Sequence, residues 1–404
     1  MGAMKRRVAW FLAGMAVWWA GAASGRDDFA WRLYGEVAKG EKGNFVCSPY
    51  GAEEALGMAE AGAAGKTKEE LRRAIVPEGV ADVAGYFAGK HADWEALAGD
   101  GAVTIANSVW VPEGAGGVPE ETARVLEGAY RAEAREADFA DAAGTAERVN
   151  AWAAEATGGK IKRAADEGAF GEGAGFAAVN ATCFEGTWKS PFWTADTRKA
   201  VFRAEDGSEG EVEMMFQETA ARVAVREEGA MLCLPYEGGE LEFRAWLPRE
   251  RKPGALAELE RALSEEPGEW AAWEEAAKRR ERVGVHLPKF RVAWRSAGLE
   301  EALAAAGIGT AFGEGAEFPG FGGGRLGRVG QSAVIEVDET GTRAAAVTTG
   351  FITLGDVPEF RADGPFLFAV VERATGCVLF MGRLAEAPGG RGTISKASQG
   401  KAEE

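Results

Sequence analysis

The stretch that most constrains this chain runs from Ala333 to Phe368 and reads AVIEVDETGTRAAAVTTGFITLGDVPEFRADGPFLF. Val334, Ile335 and Val337 precede its middle, and Phe366, Leu367, Phe368, Val370 and Val371 follow it, so both ends have the apolar character of strands anchored in a core. Between them, Gly341 to Thr349 is built of small and polar residues that bury little surface, which predicts an exposed middle. That middle has no proline before Pro358 and is rich in threonine and alanine, so it is free to join a β-sheet without steric or hydrogen-bonding conflict. A long exposed segment with the composition of a strand is an uncommon combination.

Glu339, Gly341, Thr342, Ala344, Ala345, Ala346 and Thr348 together resemble the hinge of a serpin reactive-centre loop, and Phe360 to Phe366 resembles the strand that follows it in that family. Alternate residues Thr342, Ala344, Ala346 and Thr348 would share one face of an inserted strand, and all four are small. Arg343 falls on the opposite face and can stay in solvent. Further motifs occur in the family's order. Asn44 to Pro49 ends in its Ser-Pro turn, and Val149 to Ile161 resembles its helix closing in Thr-x-Gly-Lys-Ile. Ala178 to Trp188 with Pro191-Phe192 resembles a central strand of its large sheet, and His286 to Phe290 its Leu-Pro-Lys-Phe strand. The resemblance implies an α+β fold: a single serpin-like domain with a large β-sheet, two smaller sheets, several helices and an exposed reactive-centre loop.

Residues 1–24 have a basic start, an apolar run from Val8 to Ala22 and a small-residue exit, the pattern of a secretory signal peptide. The expected organisation is therefore a signal peptide over 1–24, a serpin domain over 25–386 and a disordered tail over 387–404. A secreted or periplasmic location follows. Loss of Lys5, Arg6 and Arg7 would leave the mature chain three charges more acidic than the formal −17 of the whole. Such a balance argues against nucleic-acid and anionic-membrane partners, which need basic patches, and no cluster resembling a heparin site is present. A monomer is expected.

Little in the sequence supports catalysis. Two histidines, His91 and His286, are not paired in sequence with a nucleophile, and the four cysteines, Cys47, Cys183, Cys233 and Cys377, lack metal-ligand spacing. No metal or other cofactor is expected. The apolar neighbours of the cysteines favour buried free thiols over disulfides. Gly322-x-Gly324-x-x-Gly327 matches a dinucleotide pattern but follows no strand and opens no helix, so a glycine-rich turn is the better account. Thr67 and Glu70 predict a capping box, Gly158 and Gly159 a helix stop, and Asn180, a formal glycosylation sequon, lies mid-strand.

The resemblance implies a function for the loop as bait: an inhibitor of serine proteases that is cleaved, holds the enzyme as an acyl intermediate and inserts the cut loop as a strand. A non-inhibitory serpin, a carrier or assembly protein, is the alternative, but it tolerates bulk or proline on the inserting face and this hinge has neither. Counting on from Gly341 by the family's loop length puts the reactive bond at Leu354-Gly355 or Gly355-Asp356. No Arg or Lys occurs between Ala344 and Phe360, which disfavours a trypsin-like partner and favours an elastase- or chymotrypsin-like one. The family's shutter and breach, through which the loop enters, map to Ser48, Asn180 and Trp188. Gly51 stands where many members have a second serine, and Gln331 where many have a histidine.

Overall fold

Nine consecutive residues, Phe176–Phe184, form strand β4 and every one is buried. A strand with no solvent face must be covered on both sides, and here it is. Phe176, Ala178 and Phe184 enter the main apolar core, while Ala177, Val179, Ala181 and Cys183 enter a second, smaller one. The computed structural model describes residues 23–98, 103–170, 175–266, 268–277, 280–296, 298–341 and 358–388.

Strand β4 is central in a five-stranded sheet ordered β10 (Phe290–Arg295), β11 (Leu326–Val337), β4, β2 (Val103–Pro112) and β3 (Glu133–Ala137). Its pairing with β11 is parallel, from Leu326 opposite Phe176 to Val334 opposite Cys183. The outer face is covered by α6 (Ala142–Ala156), whose Val149, Trp152 and Ala153 form the second core. Gly158 and Gly159, both at positive φ, end that helix as the sequence predicts. The inner face packs on α2 (Pro49–Gly62), where 13 of the 14 residues are buried. Ser48 caps α2 by accepting a hydrogen bond from the Gly51 amide, and Pro49 opens it.

On the other side of α2 lies a nine-stranded sheet, with the path β1 (Phe45–Cys47), β14 (Val378–Leu384), β13 (Phe366–Glu372), β8 (Leu241–Pro248), β7 (Gly229–Pro235), β6 (Glu209–Val225), β9 (Arg280–Pro288) and β12 (Glu359–Arg361). Strand β5 (Arg198–Arg203) pairs with the start of β6. The two smaller sheets run together here because β6 is 17 residues long: one end pairs with β5, its middle with β9 and its other end with β7. All four cysteines are buried free thiols. Gly322, Gly323 and Gly324, all at positive φ, form the turn that leads into β11, and no helix follows them.

The expected capping box is not present. Helix α3 (Gly65–Ile75) begins two residues before Thr67, and Ala64 at its N-cap makes no side-chain cap. Gly65 adopts a φ of 51°, which lets the chain turn early. Thr67 and Glu70 instead hold a distant segment: the Thr67 hydroxyl accepts from the Glu317 amide at 3.0 Å, and Glu70 accepts from the Thr310 amide and hydroxyl at 2.7 and 2.5 Å.

Candidate functional site: the seam between two parallel strands

The β4/β11 ladder ends at Val334 and Cys183, and beyond it the two strands part company. Ile335, Glu336 and Val337 keep their pairing with β10, and Phe184 its pairing with β2. Above this opening the chain leaves β11 in a tight turn. The Asp338 carboxylate accepts from the Thr340 amide and hydroxyl and from the Gly341 amide, at 2.8, 2.7 and 3.2 Å. Gly341 then bridges Thr187. Its φ is 148°, and a Cβ there would lie 2.0 Å from the Gly186 carbonyl oxygen, so only glycine fits.

Trp188 joins the two sides at this point. Its amide donates to the Thr340 carbonyl and its indole Nε1 to the Asp338 carbonyl, each at 2.9 Å, while its ring stacks on Tyr236 with centroids 4.7 Å apart. Glu339 is nearly buried. It accepts from the Thr197 hydroxyl at 2.8 Å and pairs with the Lys289 ammonium at 3.0 Å. Burial by itself would raise the Glu339 carboxyl, but the Thr197 hydrogen bond and Lys289 outweigh it and hold it below its ordinary value.

Lower in the seam the polar residues fall into two sets. Ser48 and Gln331 bond reciprocally: the Ser48 amide donates to Gln331 Oε1 at 2.9 Å, and Gln331 Nε2 donates to the Ser48 carbonyl at 2.6 Å. The Ser296 hydroxyl accepts from the Gln331 amide at 3.0 Å. On the β4 side, Asn180 Nδ2 donates to Asn107 Oδ1 at 2.9 Å, and Thr182 donates to Asn180 Oδ1 at 2.7 Å. Asn107 Nδ2 in turn donates to Glu54 Oε2 at 3.0 Å, and His91 Nε2 lies 3.1 Å from the same oxygen. Among the described residues no side-chain hydrogen bond crosses between the two sets, whose Gln331 and Asn180 meet as partners in the backbone ladder. Gly51 explains the separation. A Cβ on it would sit 2.2 Å from Asn180 Oδ1, so Asn180 occupies the space a larger residue would need.

Sequence reading placed Ser48, Gly51, Asn180, Trp188, Gln331, Glu339 and Gly341 around one entrance, and the fold gathers all seven along this seam. It did not find Glu54, His91, Asn107, Thr182 or Ser296. These partners come from separate elements, and no spacing signals them. Thr342, Ala344, Ala345, Ala346, Thr348, Leu354, Gly355 and Asp356 lie outside the described residues, as do residues 1–22 and 389–404. The chain returns at Pro358, and β12 pairs in parallel with β9 at Gly284 to His286. His286 has its pKa lowered, first by burial and then by the neighbouring Arg361. His91 Nε2 thus faces the Glu54 carboxylate, and His286 Nε2 lies 3.2 Å from the Arg361 guanidinium.

Known proteins share this fold over most of the chain. Residues 24–387 match the family model described as serpin (serine protease inhibitor). Rat (Rattus norvegicus) neuroserpin is 30% identical over 364 residues, covering 86% of this chain and 87% of the relative. The leukocyte elastase inhibitor of Sus scrofa is 31% identical over 355 residues, covering 85% and 93%. A solved Arabidopsis serpin in its native stressed conformation superimposes with a TM-score of 0.79 at 25% identity, covering 90% of this chain and 97% of that one.

Proposed function

The chain belongs to the serpin family, and on that premise we propose that it is an exported inhibitor of serine proteases acting as a suicide substrate. The protease serine attacks the scissile carbonyl at Leu354-Gly355 or Gly355-Asp356, forms an ester with the acyl side and releases a new amino terminus. Before water cleaves that ester, the freed hinge enters between β4 and β11 and carries the enzyme with it. One observation carries this reading: Gly341, a residue of the proposed hinge, is bridged to Thr187 directly above a parallel seam whose upper rungs are unpaired. About ten inserted residues, at roughly 1 kcal/mol net per hydrogen bond, supply on the order of 10 kcal/mol before packing and entropy. The small residues Thr342, Ala344, Ala346 and Thr348 suit the inward face, where β4 presents Asn180 and Thr182.

An elastase- or chymotrypsin-like target fits the apolar Phe351, Ile352 and Leu354. The name of the pig relative, an elastase inhibitor, supports the same choice. Export rests on the basic and apolar residues 1–24, and the acidic surface suits a soluble monomer. The test is incubation with pancreatic elastase and chymotrypsin followed by denaturing electrophoresis. A band of summed mass that survives denaturant is expected, and cleavage with no such band from either enzyme refutes the trapping mechanism.

A further inference from the structure

After α6 the chain crosses back over the outer face of the five-stranded sheet as a strap. Lys160 pairs with Glu185 just beyond β4 at 3.1 Å, Ser332 of β11 donates its hydroxyl to the Arg163 carbonyl at 3.2 Å, and Arg295 of β10 pairs with Asp166 at 2.5 Å. Between strap and sheet lies a cavity of about 510 Å³, within the range of small-molecule sites. Its floor includes Cys183 of β4, Val334 of β11 and Ala293 of β10, so it spans the last paired rung of the seam.

The charge of this cavity opposes that of the whole chain. Lys160, Lys162, Arg163, Arg291 and Arg295 line it against Glu185 and Glu336. Lys160 is matched by Glu185 and Arg291 by Glu336 at 3.8 Å, while Asp166 is shared by Arg163 and Arg295. Two positive charges remain over in a protein of formal charge −17. The floor is apolar and the walls are cationic. That combination selects an anion of higher charge with a compact apolar body, since guanidinium and ammonium groups around an apolar floor favour phosphate or carboxylate oxygens.

We propose that this cavity binds a small organic dianion with a flat apolar body, in its simplest form an aryl phosphate, and that such a ligand holds β4 and β11 together and slows loop insertion. The site is independent of the inhibitory reading, whereas the effect on insertion rests on it. The lining residues lie between Gly159 and Glu185 or between Arg291 and Glu336. The ligand touches both strands, so it favours the closed seam by its differential affinity for the paired arrangement.

Calorimetric titration of the full chain with 1-naphthyl phosphate tests the site, with 1-naphthol and inorganic phosphate as separate probes. Saturable binding is expected for the ester, at least tenfold weaker for either half alone, and weakened about tenfold or more by Arg291→Glu or Lys162→Glu. Ala293→Trp, which fills the floor, abolishes it. No saturable binding to the parent, or affinity unchanged in all three variants, overturns the site. Equal affinity for inorganic phosphate overturns the proposed apolar body. Hydrogen exchange at Val334 and Cys183 then reads the clamp without any protease: slower exchange with ligand supports it, and unchanged exchange overturns it. Where protease is trapped, the ligand also raises the number of inhibitor molecules consumed per enzyme trapped. If no protease is trapped, the titration and exchange results still decide the site, and the inhibitory reading alone fails.

Discussion

Replacing Gly51 by alanine separates a tight fit from a missing hydroxyl. The added Cβ would stand 2.2 Å from Asn180 Oδ1, 2.9 Å from its Cγ and 3.0 Å from Ser48 Oγ, so it overlaps a short side chain that is itself held on both sides. Asn180 must move by about an ångström, and its bonds with Thr182 and Asn107, 2.7 and 2.9 Å long, cannot both survive. Overpacking costs about 1–3 kcal/mol, and leaving buried partners unsatisfied about 1–3 kcal/mol more. The expected loss is therefore about 2–6 kcal/mol. Guanidinium unfolding of the uncleaved protein, followed by tryptophan fluorescence, measures it. Asn180→Ala alone should cost about 1–3 kcal/mol, and the double variant should recover the steric part, giving a favourable coupling of at least about 1 kcal/mol. If Gly51→Ala stays within about 0.5 kcal/mol of the parent, or the two changes simply add, the close approach of Gly51 and Asn180 is not what shapes this seam.

Three further outcomes are expected. Ala346→Arg leaves unfolding unchanged but turns inhibitor into substrate, because insertion would bury an unpaired charge at a cost of several kcal/mol; as much stable complex as the parent forms would refute the proposed facing. Amino-terminal sequencing of the small fragment released by protease should begin at Gly355 or Asp356, and a start before Ile352 or after Val357 rejects the assigned bond. Glu339→Gln should cost about 1.5–3 kcal/mol at neutral pH. The folded carboxyl lies below its ordinary 4.5, so its contribution is complete above that value and lost as pH falls through the folded one, and the gap to the parent should close in acid; a gap undiminished at about pH 3 would show that the charge is not its source.

Local signals in the sequence were enough for some elements of this fold. The stop of α6 is legible in Gly158-Gly159, because it depends on backbone preference at neighbouring positions, while β4 is legible in the resemblance of Ala178 to Trp188 to a family strand. Thr67 and Glu70 mark where local reading fails. Their spacing satisfies a capping box, yet Glu317 and Thr310, some 240–250 residues away, take the same oxygens. The polar set of Glu54, His91, Asn107 and Asn180 was equally illegible, since its members meet only when α2, α4 (Val83–Ala98), β2 and β4 pack together. Gly51 was read as a lost donor, and only the fold revealed it as the space that Asn180 fills. A sequence determines what each residue can offer, but buried polar groups and tight contacts are satisfied by whichever partner packing brings within about 3 Å, and that choice belongs to the tertiary structure.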